Sequence, residues 1–270
     1  MRLSRRRHGE RSDSGENPYW ISFSDLMSAL LVIFVLAIAG LMMQLMRAQN
    51  DLEAERTLVR EQEETVQEQR DRFAQQIGTL QEAEVVRAEM LTEIQDQLHE
   101  QGIEVQVSDD STVLSIPTEV LGFEATSYEI APEHRDVAVT VGETIAGVIE
   151  SDERYTYLDT VFVEGHTDNV GFDGLEGTGN WGLSTFRAIS LWRLWSDDLP
   201  AESRLDQFRS ADGNPLFSVS GYGETRPATV AQETDADRAA NRRIDIRFTV
   251  VRPTAEDLEA ILESAEQDEA

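Results

Sequence analysis

The chain has no cysteine and no lysine. Without thiols, neither disulfides nor thiolate metal sites can contribute to it. All 23 basic residues are arginine, set against 52 acidic ones. The net charge of −29 argues against direct binding of nucleic acid, whose phosphates it would repel. The sequence also has no nucleophile–base set, phosphate loop or metal cluster, so neither enzymatic activity nor a cofactor is expected. Proline is absent between Arg47 and Gln101. Charge, too, is nearly missing from one stretch: between Glu16 and Arg47 the only charged side chain is Asp25.

That stretch holds the one long apolar run, Ile21 to Met46. A single segment of this length predicts a protein that crosses a membrane once, over residues 18–46. Arg2, Arg5, Arg6, Arg7 and Arg11 precede it, which places the N-terminus in the cytoplasm and the remainder outside. Ala37-Ile38-Ala39 has the small-x-small form of a cleavage site. The run exceeds a signal peptide's usual ~7–15 apolar residues, so a retained anchor is expected. Asp25 has two readings. A carboxylate inside a bilayer costs about 2.5–3.5 kcal/mol, and such residues usually mark ion pathways. If the helix instead starts at Leu26, the run to Met46 already spans a ~30 Å core and Asp25 is only an interfacial N-cap. Tyr19 and Trp20, as an aromatic belt, would set Asp25 ~7–8 Å inside the boundary.

From Arg47 to Gln101 the composition turns to Glu, Gln, Arg and Ala, which favours one long helix. Leu45, Leu52, Val59, Val66, Phe73 and Leu80 recur every seven residues, and Arg87 breaks the series before Ile94. The companion stripe (Ala48, Glu55, Gln62, Gln69, Gln76, Ala83, Met90, Gln97) is mostly polar. A weak coiled coil and a solitary solvated stalk both fit this pattern. Either way, residues 47–101 read as a spacer of ~80 Å if fully helical.

Alternation begins again at Gly102. Strands are expected at 103–107, 112–116, 158–164, 217–220 and 243–251, with helices at 132–149, 183–195 and 235–240. The order predicts an α+β domain over 102–252, its mixed sheet covered by helices. The basic segment 1–17 reads as a cytoplasmic tail. Residues 253–270, with seven acidic and no basic side chains, read as an acidic tail, either frayed or with one helical stripe.

Several motifs follow one another across 103–251: Gly165-His166-Thr167-Asp168; Asn180-Trp-Gly-Leu183-Ser184-Thr-Phe-Arg187-Ala188; Ser220-Gly221-Tyr222-Gly223-Glu224; and Arg238-Ala-Ala-Asn241-Arg242-Arg243. Together they resemble the signature of OmpA-like peptidoglycan-binding domains, whose fold is of βαβαβ type. The resemblance implies a ligand in the stem peptide of the wall, most often its diaminopimelate. An acidic side chain would accept from the ammonium, and an arginine fork would hold a carboxylate. In this sequence those roles fall to Asp168 and Arg187, assisted by Thr167, Asn180 and Arg242. Asn180 is also placed to cap the helix that follows. Without the resemblance, Asp168 and Arg187 would read as a surface ion pair. His166 and Asp168, two candidate ligands without a third, are weak evidence for a metal, and His166 reads as a loop-orienting residue. The segment Phe172 to Gly179 is longer than the family pattern and borders the site.

An OmpA-like domain behind a single aspartate-bearing helix resembles flagellar stator subunits of the MotB family. The stretch Pro18-Tyr19-Trp20-Ile21-Ser22-Phe23-Ser24-Asp25-Leu26-Met27-Ser28 is more similar to the ZorB family of Zorya anti-phage systems. This resemblance implies an inner-membrane homodimer inside a ring of a multi-span, ZorA-like partner, with Asp25 binding and releasing an ion. Only Ser22, Ser24 and Ser28 accompany Asp25 as polar groups, a set that favours protons over sodium. A flagellar stator subunit and a static envelope tether are the alternatives.

Overall fold

In this computed structural model, residues 18–124, 126–174 and 177–252 are described, so the expected tails 1–17 and 253–270 lie outside the described residues. The chain divides into two compact units, Met1–Glu68 and Gln69–Ala270.

The first unit consists, among its described residues, of helix α1 alone, which runs from Pro18 to Glu100 and ends within the second unit. Proline suits the first helical position, where its missing N–H leaves no bond unmade. Asp25 therefore lies in the third turn of α1 and not at an N-cap, so the reading that starts the helix at Leu26 is overturned. Leu30, Leu31, Ile33, Phe34 and Leu36 are all exposed, on every side of the helix. A helix apolar all round calls for lipid or partner helices. Among the described residues, this is the one helix long and apolar enough to cross a membrane.

The second unit is α+β, as expected. Its strands are β1 (Gln106–Val107), β2 (Val113–Pro117), β3 (Leu158–Gly165), β4 (Phe217–Gly221) and β5 (Arg243–Val250). Its further helices are α2 (Arg135–Glu150), α3 (Gly179–Asp198) and α4 (Asp235–Asn241). The strands lie in the order β1-β2-β5-β3-β4, with β3 and β4 parallel and every other pair antiparallel. Strand alternation sorts the side chains. Ile244, Ile246 and Phe248 of β5, Val161 and Val163 of β3, and Leu114 and Ile116 of β2 face the core, which they share with α2 and α3. Asp245, Arg247, Glu164 and Ser115 face the other way.

The expected spacer is not uniform. A solvated spacer would bury nothing, yet Ala83, Arg87, Met90, Leu91, Ile94 and Leu98 are buried at helical spacing. Met90, Leu91, Ile94 and Leu98 belong to the same core as the sheet. Arg87, the break in the heptad series, donates from Nε to the Ser111 carbonyl at 2.9 Å. Ser111 closes the β1–β2 turn with φ 49°, so this helix turn and that hairpin hold each other. Gly102, at φ 78°, ends α1, and the Ile103 N–H returns to the Leu98 carbonyl at 2.9 Å. This compact ending shortens the first expected strand to Gln106–Val107.

We predict that a chain truncated to begin at Gly102 fails to unfold cooperatively, whereas one beginning at Gln69 melts as a single unit. Each large core side chain lost costs about 2–5 kcal/mol. Thermal melts followed by circular dichroism check this, and equal melting of the two chains would refute it.

Candidate functional site

A pair of glycines builds the site. Gly165 ends β3 and Gly221 ends β4, and they face each other in register. A Cβ on Gly165 would fall 1.9 Å from the Ser184 carbonyl oxygen, and one on Gly221 would fall 2.4 Å from the Thr185 nitrogen. Side chains there would push α3 away; their absence lets its first turns rest on the strand ends. The Gly223 N–H donates to Ser184 Oγ at 2.9 Å, and the Thr167 N–H donates to the Gly223 carbonyl at 3.0 Å. The motif glycines and Ser184 thus join three chain segments separated in sequence.

At this junction lies a cavity of about 230 Å³. Thr167, Asp168, Asn180, Arg187 and Arg242 all line it, so the five candidate site residues named from the sequence meet in one place. Phe172, Val170 and Arg238 contribute further polar and apolar walls. Phe172 belongs to the long segment, of which Leu175 and Glu176 lie outside the described residues.

The charges are linked rather than simply paired. Asp168 Oδ1 accepts the Val170 N–H at 3.1 Å, and Oδ2 accepts from Arg242 Nη1 at 2.9 Å. Arg242 Nη2 donates to Glu119 Oε1 at 2.9 Å. Burial acts to lower the pKa of Arg242, but its bonds to Asp168 and Glu119 outweigh burial and raise it. Arg187 is fully buried: Nε donates to the Ser127 carbonyl at 2.9 Å and Nη2 to the Glu124 carbonyl at 2.7 Å. Its guanidinium carbon also stands 5.7 Å from the centre of the Phe123 ring. Desolvation pushes Arg187 down to about 10, with the Asp168 charge opposing, so it stays cationic at neutral pH. Asp168 thus bonds Arg242, and Arg187 lies buried rather than in an ion pair at the surface.

Asn180 does not cap α3. Thr178 occupies the N-cap position without a side-chain cap bond. Asn180 Nδ2 instead donates to the Val170 carbonyl at 3.0 Å and the Asp168 carbonyl at 3.4 Å, clamping the loop that carries Asp168. Two buried polar atoms here, Asn180 Oδ1 and Thr167 Oγ1, have no hydrogen-bond partner among the described residues. Buried polar groups are seldom left so, and a polar ligand in the cavity would satisfy them.

The two adjacent arginines divide their work. Arg242 serves the cavity, while Arg243 donates from Nε to Asp245 Oδ1 at 3.0 Å on the polar sheet face. His166 Nε2 stands 3.1 Å from Asp245 Oδ2, and its ring stacks on Tyr222. The sequence pairs His166 with Asp168, but the fold groups it instead with Glu164, two residues earlier, and with Asp245 of β5. Those carboxylates are already engaged. Arg247 Nη2 donates to Glu164 Oε2 at 2.9 Å, Tyr222 to Glu164 Oε1 at 3.1 Å, and Ser115 to Asp245 Oδ1 at 2.6 Å. Two acids and two guanidiniums balance, so a dication would have to displace well-seated arginines. The cluster reads as a brace beneath Thr167 and Asp168.

Burial raises the Asp245 pKa, but the nearby His166, the charge of Arg243 and a bond from Ser115 outweigh burial and hold it below the ordinary 3.8. A depressed carboxyl pKa contributes stability above the unfolded value that is lost as pH falls through the folded one. The second unit should accordingly lose stability below about pH 4, and Asp245→Asn should flatten that loss. Acid titration of the melting temperature checks this.

No family model matches the chain. It is similar to Motility protein B of Bacillus subtilis (strain 168), 24% identical over 165 residues that cover 61% of this chain and 55% of that one. The chain thus spans about half the length of that relative. It is also similar to the uncharacterized protein YtxE of Bacillus subtilis (strain 168), 21% identical over 267 residues covering 91% of this chain and 96% of that one. Among solved structures, a putative MotB-like protein from Desulfovibrio vulgaris matches with a TM-score of 0.48 at 22% identity, over 64% of this chain and 96% of that one.

Proposed function

We propose that the chain is the wall-anchored, ion-conducting subunit of a membrane motor in anti-phage defence. In this reading it is an inner-membrane homodimer within a ring of a multi-span, ZorA-like partner. Residues 1–17 lie in the cytoplasm and 18–46 cross the membrane. Residues 47–101 and the domain to 252 stand in the periplasm, followed by the acidic tail 253–270.

The observation that carries the anchoring half is the cavity at the end of β3. It gathers one acid, three arginines and two buried polar atoms that lack a partner among the described residues around a space of about 230 Å³. That donor set complements a small group bearing both ammonium and carboxylate, as the diaminopimelate end of a stem peptide does. Asp25, the single charge of the apolar run, carries the motor half. An ion-driven change at Asp25 yields rotation only if the subunit is held against the wall, so the two halves need each other.

The similarity to Motility protein B favours a second reading, a flagellar stator subunit. One experiment separates the two. The chain and its multi-span partner are expressed in a phage-sensitive host and, in parallel, in a stator-less swimmer. The first reading expects reduced plaque formation without restored swimming, and the second expects the reverse. A static tether changes neither.

A further inference from the structure

The sequence motifs do not include Glu119, yet the fold holds it against the site. Glu119 follows β2, and the N–H of its neighbour Thr118 donates to the Arg242 carbonyl at 3.0 Å. Backbone pairing therefore fixes Glu119 beside Arg242, and the Gly122 N–H closes a turn on the Glu119 carbonyl at 3.3 Å. Arg242 presents one nitrogen to Asp168 and the other to Glu119, both at 2.9 Å. The Asp168 side chain is 12% exposed and that of Glu119 is 53% exposed, so one carboxylate faces the cavity and the other faces water.

We infer that Glu119 is a specificity-determining residue, which keeps Asp168 attractive to a ligand ammonium by drawing part of Arg242 away from it. This inference rests on the wall-binding reading of the cavity. Asp168, Glu119 and Arg242 together carry one net negative charge. Without Glu119, Arg242 and Asp168 become a neutral pair, and an arriving ammonium meets a carboxylate already compensated. The remaining lining charges, Arg187 and Arg238, are both positive and would repel it. Arg238 is held by Asp235 and by the Gln232 and Glu233 carbonyls, and as a cation it offers Arg242 no alternative partner. Glu119 thus acts through another side chain and touches no ligand itself.

The test uses the full chain in detergent. The probes are a soluble tripeptide ending in meso-diaminopimelate and the same tripeptide acetylated on the side-chain amine, titrated by calorimetry. Glu119→Gln should weaken the free-amine tripeptide about five-fold, the scale of a half-exposed charge, and leave the acetylated one unchanged. Glu119→Asp should recover most of the loss, and the difference should shrink at high salt. An equal loss for both probes, or no loss for either, would overturn the role given to Glu119 while the wall site stands. Failure of the unsubstituted chain to bind the free-amine tripeptide would overturn the wall reading and this inference with it.

Discussion

Asp25→Asn is expected to abolish phage protection outright while leaving expression and co-purification with the multi-span partner unchanged. The substitution is chosen because it separates charge from shape. Asparagine has nearly the size of aspartate and serves as well at a helix N-cap, but it cannot exchange an ion. Asp25 stands in the third turn of a helix that starts at Pro18, so no capping duty remains for it to perform. A carboxylate kept in a membrane helix without such a duty is expected to carry an ion or to meet a partner's charge. A tether needs only the apolar length and would tolerate the asparagine. Plaque assays beside membrane blots and partner pulldowns read both outcomes, and undiminished protection would reject the motor.

The second large effect concerns the wall. Asp168→Asn should remove co-sedimentation with purified peptidoglycan while lowering the melting temperature only modestly, because Arg242 loses Asp168 but keeps Glu119. The amide of that variant retains an oxygen for the Val170 N–H but lacks the charge that meets an ammonium. Arg187→Ala should lose binding too, though for two reasons. The Glu124 and Ser127 carbonyls would lose their buried donors, and the Phe123 ring would lose its cation. A destabilisation of about 2–4 kcal/mol is expected from the emptied site and the unpaired carbonyls. Arg187→Lys keeps a charge but not the fork, and so should recover only part of either loss. Sedimentation and thermal unfolding of the same three variants check both statements. Full binding by Asp168→Asn would remove Asp168 from the ligand.

Much of this was legible in the residues themselves. Alternation and glycine placed all five strands, and the helices at 132–149 and 183–195 needed only small adjustments, to Arg135–Glu150 and to Gly179–Asp198. The end of α1 was harder because a coiled-coil stripe and a core-facing stripe share nearly one period. Met90 and Ile94 fit the heptads and the domain core equally well. Arg87, an apparent interruption, fits the core because its partner is a backbone carbonyl at a turn 24 residues on. The site motifs could be named, but the bonds within them could not be read. Arg187 turns toward the Glu124 and Ser127 carbonyls, and Asn180 clamps a loop instead of capping a helix. Glu119 lies 123 residues from Arg242, and no local pattern announces a contact made by two strand ends. The third member of the His166 cluster likewise comes from β5, reached only when the sheet forms.

The measurement that bears most directly on the motor is ion flux through the chain and its multi-span partner reconstituted in liposomes, under an imposed proton gradient and then a sodium gradient. The account predicts flux down the proton gradient that is lost with Asp25→Asn. Flux that survives Asp25→Asn, or no flux under either gradient, would contradict it.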